Sequence, residues 1–392
     1  MENIKYEKYD INMFFVLFLF SVISCLSIFY AQEMSQYDTN FVIRQAVFYF
    51  VAFLMIFLIL HFDFEYYMYL SWLLYFLGLF LLMLLAIAPP SIAPPSKGAV
   101  RWFELPLIGS FQPSELMKIF IIITLSNITF KHNQRYSHTL SADLKLIGKM
   151  TVVVIPPVLF LVNQPDMGMV MMTTSIFITM LIVSGVSLKI LAVLFGIPLL
   201  GIAMFLWVFF RYPAVIDQYI FSYLSPYQVR RFYGWLNPFE YVDEGYQTAQ
   251  ALLLIGTGKV FGSDHQIYIP EAHTDFIFAI IGNTHGFGGA ALLIVLYFIL
   301  LYMIVMTAFK CHHPFGSYLC AGIAGMLAFQ VFQNIGMNLG ILPVTGFTLP
   351  LVSYGGSSLL TTMLAIGLVM GVRYNRKVFM FSSSDSQYKE KA

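Results

Sequence analysis

The chain has 392 residues, of which 59% are hydrophobic and only 10% charged. Soluble domains run at roughly 45–50% apolar and about 25% charged, so composition excludes a soluble globular enzyme and predicts an all-α integral membrane protein. A net charge of +1 gives no reason to expect nucleic acid or any other polyanion as a partner. Cys25, Cys311 and Cys320 fall in or beside apolar runs without metal-ligand spacing, which reads as reduced structural thiols.

In chain order, a short polar N-terminus leads into an apolar run at 12–31, long enough to cross a bilayer. It lacks a small-residue cleavage site, so it reads as a retained first span. Further runs follow at 42–61, 69–90, 114–130, 148–163, 167–186, 188–210, 276–308, 317–341 and 353–372. The prediction is therefore ten transmembrane helices in a single polytopic domain, 1–392, with a large loop at 211–275 between spans seven and eight. With ten spans both termini share one face. Basic residues divide thirteen to seven in favour of that face, with Lys118 inside a span. The rule that positive residues stay inside makes both termini cytoplasmic and the 211–275 loop extracellular. The protein is expected in the plasma membrane, with 382–392 as a disordered cytoplasmic tail.

The unusual sequence gathers on the outer face. Residues 88–113 hold six prolines together with Arg101 and Trp102, a shaped loop rather than a plain connector. The 211–275 loop contains an amphipathic stretch at 227–235, bearing Arg230 and Arg231, and a second helix-like run at 248–254. Such a segment is expected to lie along the membrane surface. Residues 334–358 interleave glycine and proline with apolar side chains. Irregular backbone at membrane depth survives only where it is buried in protein or lines a wet cavity.

Titratable groups sharpen the picture. Glu271, His273 and Asp275 stand within five residues at the mouth of span eight. Desolvation or a neighbouring cation there can tune a carboxylate for acid–base work; alternatively Thr274 or Asp275 simply caps a helix beginning at Phe276. Glu115 and Lys118, three apart on one face of span four, can form either a structural ion pair or part of a wet site. Asp166, in the tight turn Gln164-Pro-Asp-Met-Gly168, is either a turn and cap residue or a functional carboxylate. Arg101 and Trp102 can anchor the interface, and Arg230 and Arg231 can form a solvated face or grip a pyrophosphate.

In one order along the chain stand Lys97-Gly-Ala-Val-Arg-Trp-Phe103, Gln112-Pro-Ser-Glu-Leu-Met-Lys118, Gln164-Pro-Asp-Met-Gly168, Pro226-Tyr-Gln-Val-Arg230, Trp235-Leu-Asn-Pro238 and Gly245-Tyr-Gln-Thr-Ala-Gln250. They are followed by Pro270-Glu-Ala-His-Thr-Asp-Phe-Ile-Phe278, Asn334-Ile-Gly-Met-Asn338, Pro343-Val-Thr-Gly346 and Ser353-Tyr-Gly-Gly-Ser-Ser358. By these motifs the chain resembles the SEDS (shape, elongation, division and sporulation) family over nearly all its spans. The resemblance implies a peptidoglycan glycosyltransferase that polymerises lipid II, an undecaprenyl-pyrophosphate-linked disaccharide-pentapeptide, outside the cytoplasmic membrane, with a class B penicillin-binding protein as partner. It implies that Asp275 is catalytic. It places Arg101, Trp102, Glu115, Lys118, Asp166, Arg230, Arg231, Glu271, His273, Asn338 and Ser357 at the substrate. A divalent cation, Mg or Mn, is the one cofactor it leaves open.

The sequence also departs from the family pattern. Asn283, Thr284 and His285 stand where members carry a pair of glutamates, 259–263 is a reduced glycine-rich turn, and Phe347 and Leu351 replace Ile and Phe. These departures keep open a catalytically weak scaffold for a penicillin-binding protein. A lipid-linked precursor transporter is the other alternative, but it calls for mid-membrane polar groups and repeat symmetry, whereas the polar groups here cluster at the outer ends.

Overall fold

The computed structural model describes residues 10–35, 40–95, 99–105, 109–137, 139–219, 221–223, 226–263, 265 and 267–375. Lys97 and the expected tail at 382–392 lie outside these. The order is α1 (Ile11–Ser35), α2 (Phe41–Ile59), α3 (Phe64–Ile87), β1 (Phe103–Leu105), β2 (Gly109–Phe111), α4 (Pro113–Arg135), α5 (Leu140–Asn163), α6 (Met167–Val183) and α7 (Leu188–Arg211). Then come α8 (Pro213–Tyr219), a 3-10 turn (Phe221–Tyr223), α9 (Pro226–Leu236), α10 (Val242–Thr257), α11 (Ile277–Thr284), α12 (Gly286–Lys310), α13 (Pro314–Asn338) and α14 (Gly356–Asn375). Among the described residues nine helices are long and apolar enough to cross a membrane, and α6 is a shorter apolar tenth. The protein is a multi-pass membrane protein.

The least apolar of these spans, α4, is also the most buried. It packs against α3, α13, α5, α6 and α14 and carries its polar side chains into those seams. Asn127 Nδ2 donates to Met68 O at 3.1 Å and Ser71 Oγ at 2.6 Å, and Thr124 Oγ1 to Ser71 O at 3.1 Å. At the other extreme α7 is an apolar helix that is almost wholly exposed.

Helix breaks at membrane depth are satisfied from neighbouring spans, as hydrocarbon demands. Pro157 cannot donate to Val153 O, four residues back in α5, and Tyr75 OH from α3 donates to that carbonyl at 2.9 Å. The turn at 349–354 leaves a row of carbonyls without helical partners. Tyr49 OH bonds Leu351 O, Tyr297 OH bonds Pro350 O, Ser24 Oγ donates to Val352 O at 2.8 Å, and Gln45 Nε2 donates to Ser353 O at 3.1 Å.

Several expectations are corrected. The apolar run at 276–308 is two helices, α11 and α12, because Gly286 takes φ +62 and breaks the helix. A Cβ there would meet Gly262 N at 2.5 Å and Val260 O at 2.6 Å, so the 258–262 loop packs directly into the break. Gly286→Ala is expected to lower the melting temperature of the purified protein, since the left-handed conformation alone costs a non-glycine residue about 1–2 kcal/mol before any clash. An unchanged melting temperature would show that the break is not fixed by glycine. The run at 248–254 extends into the 16-residue α10, and the proline-rich loop contains a two-stranded antiparallel hairpin pairing Phe103 with Phe111. The fold is thus nearly, not strictly, all-helical. The span expected at 148–163 begins eight residues earlier, and the last one begins at Gly356, after the 349–354 turn.

Both ends of the helical bundle meet. Arg373 Nη1 near the end of α14 pairs with Asp10 Oδ2 just before α1, so the start of α1 and the end of α14 lie on one face.

Candidate functional site

The starts of α4, α6, α11 and α14 and the end of α13 converge on the opposite face. Asp275 precedes Phe276, the residue in the cap position of α11, whose side chain makes no capping bond. The helix therefore begins at Ile277, one residue later than a cap by Asp275 requires. The main chain of Asp275 is gripped from α13. Its carbonyl oxygen accepts from Asn334 Nδ2 at 2.8 Å and Asn338 Nδ2 at 3.1 Å, two residues i and i+4 on one face of α13. Asn338 Oδ1 in turn accepts from Ala279 N at 3.2 Å, and Asn334 Nδ2 also reaches Phe347 O at 2.6 Å. The side chain of Asp275 points to the 343–346 turn, where its Oδ2 would stand 3.6 Å from a Cβ on Gly346, itself at φ +76. The aspartate is half-buried.

The rest of the turn is equally constrained. Glu271 adopts φ +58; its carbonyl accepts from Thr274 N at 3.1 Å, and its Oε2 from Thr274 Oγ1 at 3.1 Å. Ser353 Oγ donates to Thr274 O at 2.5 Å and Tyr354 N to His273 O at 2.8 Å, which bonds the turn to the 349–354 segment. His273 is buried and stacks on Phe41 with ring centroids 4.4 Å apart. Burial pushes its pKa below the ordinary histidine value, against an opposing pull from Glu271. The His273 ring is packed inside the protein rather than open to solvent.

A second cluster surrounds Asp166. Its Oδ1 accepts from Met169 N at 3.2 Å and so caps α6, while its Oδ2 accepts from Gln112 Nε2 at 3.1 Å. Burial raises the Asp166 carboxyl above its usual range; the Met169 amide and Arg101 oppose this, Glu115 adds to it, and Gln112 opposes it. Arg101 reaches over the turn and donates to Gln164 O at 3.3 Å and Pro165 O at 2.6 Å, with Trp102 half-buried beside it. Ser357 accepts from Gln112 N at 3.2 Å and donates to Ser110 O at 3.0 Å, joining α14 to the hairpin. One turn deeper, Glu115 Oε2 lies 2.5 Å from Lys118 Nζ and accepts from Thr361 Oγ1 at 3.0 Å.

The two clusters are contiguous. A Cβ on Gly168 would lie 3.3 Å from Thr345 O and 3.6 Å from Asp166 Oδ1, so the 343–347 segment separates the Asp166 turn from the Asp275 turn by one backbone thickness. Arg230 is exposed on α9, and that helix is docked to the same end of α13 through Trp235 Nε1, which donates to Gly340 O at 3.2 Å. The Arg231 side chain lies outside the described residues. Gln112 and Asn334 belong to the site without having been singled out as site residues, although each begins a motif already noted. Among the described residues no three His, Cys, Asp or Glu side chains gather as metal ligands.

Asn283, one of the departures from the family pattern, is fully buried. Its Nδ2 donates to Leu254 O at 3.2 Å and Thr257 Oγ1 at 2.9 Å, and Ser263 N donates to its carbonyl at 2.8 Å. It holds α10 and the 258–263 loop against α11. His285 is exposed and pairs with Thr284 Oγ1 at 2.7 Å.

Comparison with known proteins agrees with this arrangement. The family model of FtsW, RodA and SpoVE, described as "Cell cycle protein", matches residues 8–378. A relative from Legionella pneumophila named "Probable peptidoglycan glycosyltransferase FtsW" is 30% identical over 95% of this chain and 92% of its own. One of the same name from Coxiella burnetii is 35% identical over 76% of this chain and 77% of its own. Among solved structures, a chain of a peptidoglycan synthase complex described for the coordination of polymerization and crosslinking superposes with a TM-score of 0.75 at 28% identity, covering 95% of this chain and 99% of that one. The rod shape determining protein RodA of Thermus thermophilus superposes with a TM-score of 0.67 at 27% identity, covering 95% and 98%. By motif order, fold and extent of match, the chain belongs to the FtsW/RodA/SpoVE family, the SEDS family.

Proposed function

We propose that this chain polymerises lipid II into glycan strands with Asp275 as the general base. The activity class is that of its family, whose relatives carry the name peptidoglycan glycosyltransferase. The observation that carries the assignment of Asp275 is the clamp on its main chain. Two asparagines hold its carbonyl and a glycine turn faces its side chain, so the carboxylate is positioned without being used as a helix cap.

In the reaction the carboxylate takes the proton from the acceptor sugar hydroxyl as that oxygen attacks the donor's anomeric carbon. The new carbon–oxygen bond forms as the bond from that carbon to the pyrophosphate oxygen breaks, and undecaprenyl pyrophosphate departs carrying the electron pair. Cations nearby stabilise its charge. Lys118 is held by Glu115 and Arg101 directs two N–H groups at backbone carbonyls; Arg230, exposed on α9, is the cation whose guanidinium geometry best suits a pyrophosphate. The substrate's lipid tail lies in the bilayer, and a class B penicillin-binding protein takes the strand for crosslinking. The decisive assay is lipid II polymerisation by the purified protein with its penicillin-binding partner, wild type against an Asp275 variant.

This reading requires the Asp275 face to be extracellular, with the 211–275 loop outside and both termini in the cytoplasm. In a background lacking Cys25, Cys311 and Cys320, a cysteine at exposed Ser222 is expected to react with a membrane-impermeant maleimide on whole cells. One at exposed Ser137 should react only after permeabilisation. The reverse pattern would invert the topology and remove the enzyme from its substrate.

A further inference from the structure

The far end of α4 carries a feature that the reaction does not use. Lys118 to His132 spans fourteen residues of one helix, about 20 Å at 1.5 Å per residue, so this end lies on the opposite face, with the termini. There α4 gives way to α5 at Tyr136, whose exposed ring packs against His132 in a tilted pair with centroids 4.7 Å apart. Lys145 and Lys149, i and i+4 on α5, place their ammonium groups 5.8 Å and 5.3 Å from the centroid of that single ring. Lys149 Nζ also lies 3.2 Å from His132 Nδ1.

We propose that this α4–α5 corner binds the phosphate headgroup of an anionic phospholipid, with the acyl chains lying along α5. Three observations meet here. First, two like charges are gathered around one aromatic ring, each favoured by the ring and each repelled by the other. Among the described residues neither ammonium has a carboxylate within ion-pairing distance. An anion between them removes the repulsion. Second, Lys131 and Arg135 are exposed on the last turns of α4 and add charge of the same sign at the same end. Third, an exposed apolar stripe runs along α5 past the two lysines, with Leu140 and Leu144 before them and Val152, Ile155, Leu159 and Val162 beyond. Gly148 interrupts that stripe at the level of the lysines, and nothing stands within 4 Å of where its Cβ would be. The notch gives a glycerol backbone room to pass from the charged corner to the stripe. A soluble anion would use the charges and leave the stripe bare, and an acidic protein would have to reach past the headgroups. A phospholipid uses both halves, and polybasic segments beside membrane helices bind anionic lipid in this way.

The test uses the full chain purified in detergent. Native mass spectrometry compares retention of dioleoylphosphatidylglycerol with that of dioleoylphosphatidylcholine, and a third arm adds inorganic phosphate as competitor. Wild type is expected to retain the anionic lipid preferentially. Lys145→Gln with Lys149→Gln should weaken its retention by about 10- to 30-fold, the factor that two charges near an anionic headgroup supply. Lys189→Gln, a basic residue elsewhere on this face, should leave retention unchanged. Melting temperature in phosphatidylcholine alone checks that each variant folds; if the double variant does not, the single change Lys145→Gln at an exposed position should still reduce retention several-fold. Equal retention of the two lipids by wild type would overturn the proposal, as would undiminished retention by a folded variant. So would displacement of the lipid by millimolar inorganic phosphate, which would make this a soluble-anion site. Preference for a polyglutamate peptide over the anionic lipid would assign the corner to an acidic protein partner and overturn it equally.

Discussion

Asp275→Asn is expected to abolish glycan polymerisation while leaving the protein folded in the membrane and bound to its partner. The separation is possible because of where the hydrogen bonds fall. Asn334 and Asn338 grip the main-chain carbonyl of residue 275, which the substitution does not alter. Glu271 carries the turn upstream by accepting from Thr274 N at 3.1 Å and Phe276 N at 3.3 Å. Asparagine has almost the size of aspartate, so it also fits against Gly346, where a larger side chain would press on the 343–346 turn. What it loses is the capacity to accept a proton from a hydroxyl. Removal of a general base slows turnover by about 10²–10⁴-fold, which in a gel assay of strand length reads as no product. Near wild-type polymerisation by a folded Asp275→Asn protein would transfer the base to another residue. Asp166 would then be the first to test, because burial already pushes its carboxyl toward the protonated form.

Why the span count and the outer cluster could be read in advance, while the helix breaks could not, follows from what each depends on. A span is a local property: twenty apolar residues must become a helix in hydrocarbon whatever surrounds them. The run at 276–308 satisfied that rule, and so it concealed the break at Gly286, which depends on the 258–262 loop arriving from another part of the chain. Pro156 and Pro157 were visible, but Tyr75, which donates to Val153 O, lies 78 positions earlier in the sequence. Asp275 stood out as a candidate because three titratable residues at a helix mouth are rare in so apolar a chain. The residues that hold it did not, because an asparagine on an apolar helix carries no sign of which backbone it will reach. The pairing of Asp166 with Gln112 has the same character: both stand in motifs, yet only the packing of α4 against α6 brings the amide to the carboxylate.

The Glu115–Lys118 pair gives the largest expected effect on stability. Lys118 is among the largest fully buried side chains and Glu115 is buried with it, on a helix surrounded by α3, α5, α6, α13 and α14. The carboxylate oxygen that faces Lys118 Nζ also accepts from Thr361 Oγ1 at 3.0 Å, so one oxygen joins α4 to α14. Glu115→Ala leaves an ammonium group in a desolvated seam with its counter-ion gone, and such a break costs about 3–5 kcal/mol. Glu115→Ala combined with Lys118→Met removes both charges and keeps the volume of the lysine stem. A matched apolar replacement of a buried pair is often close to neutral, so the double variant should recover most of the loss and still lack only the Thr361 bond. The measurement is thermal unfolding of the two variants and of Lys118→Met alone, treated as a double-mutant cycle. A coupling of several kcal/mol is the expected result. Losses that simply add would mean that the two charges do not depend on each other, and that α4 keeps Lys118 in place for a negatively charged substrate group instead.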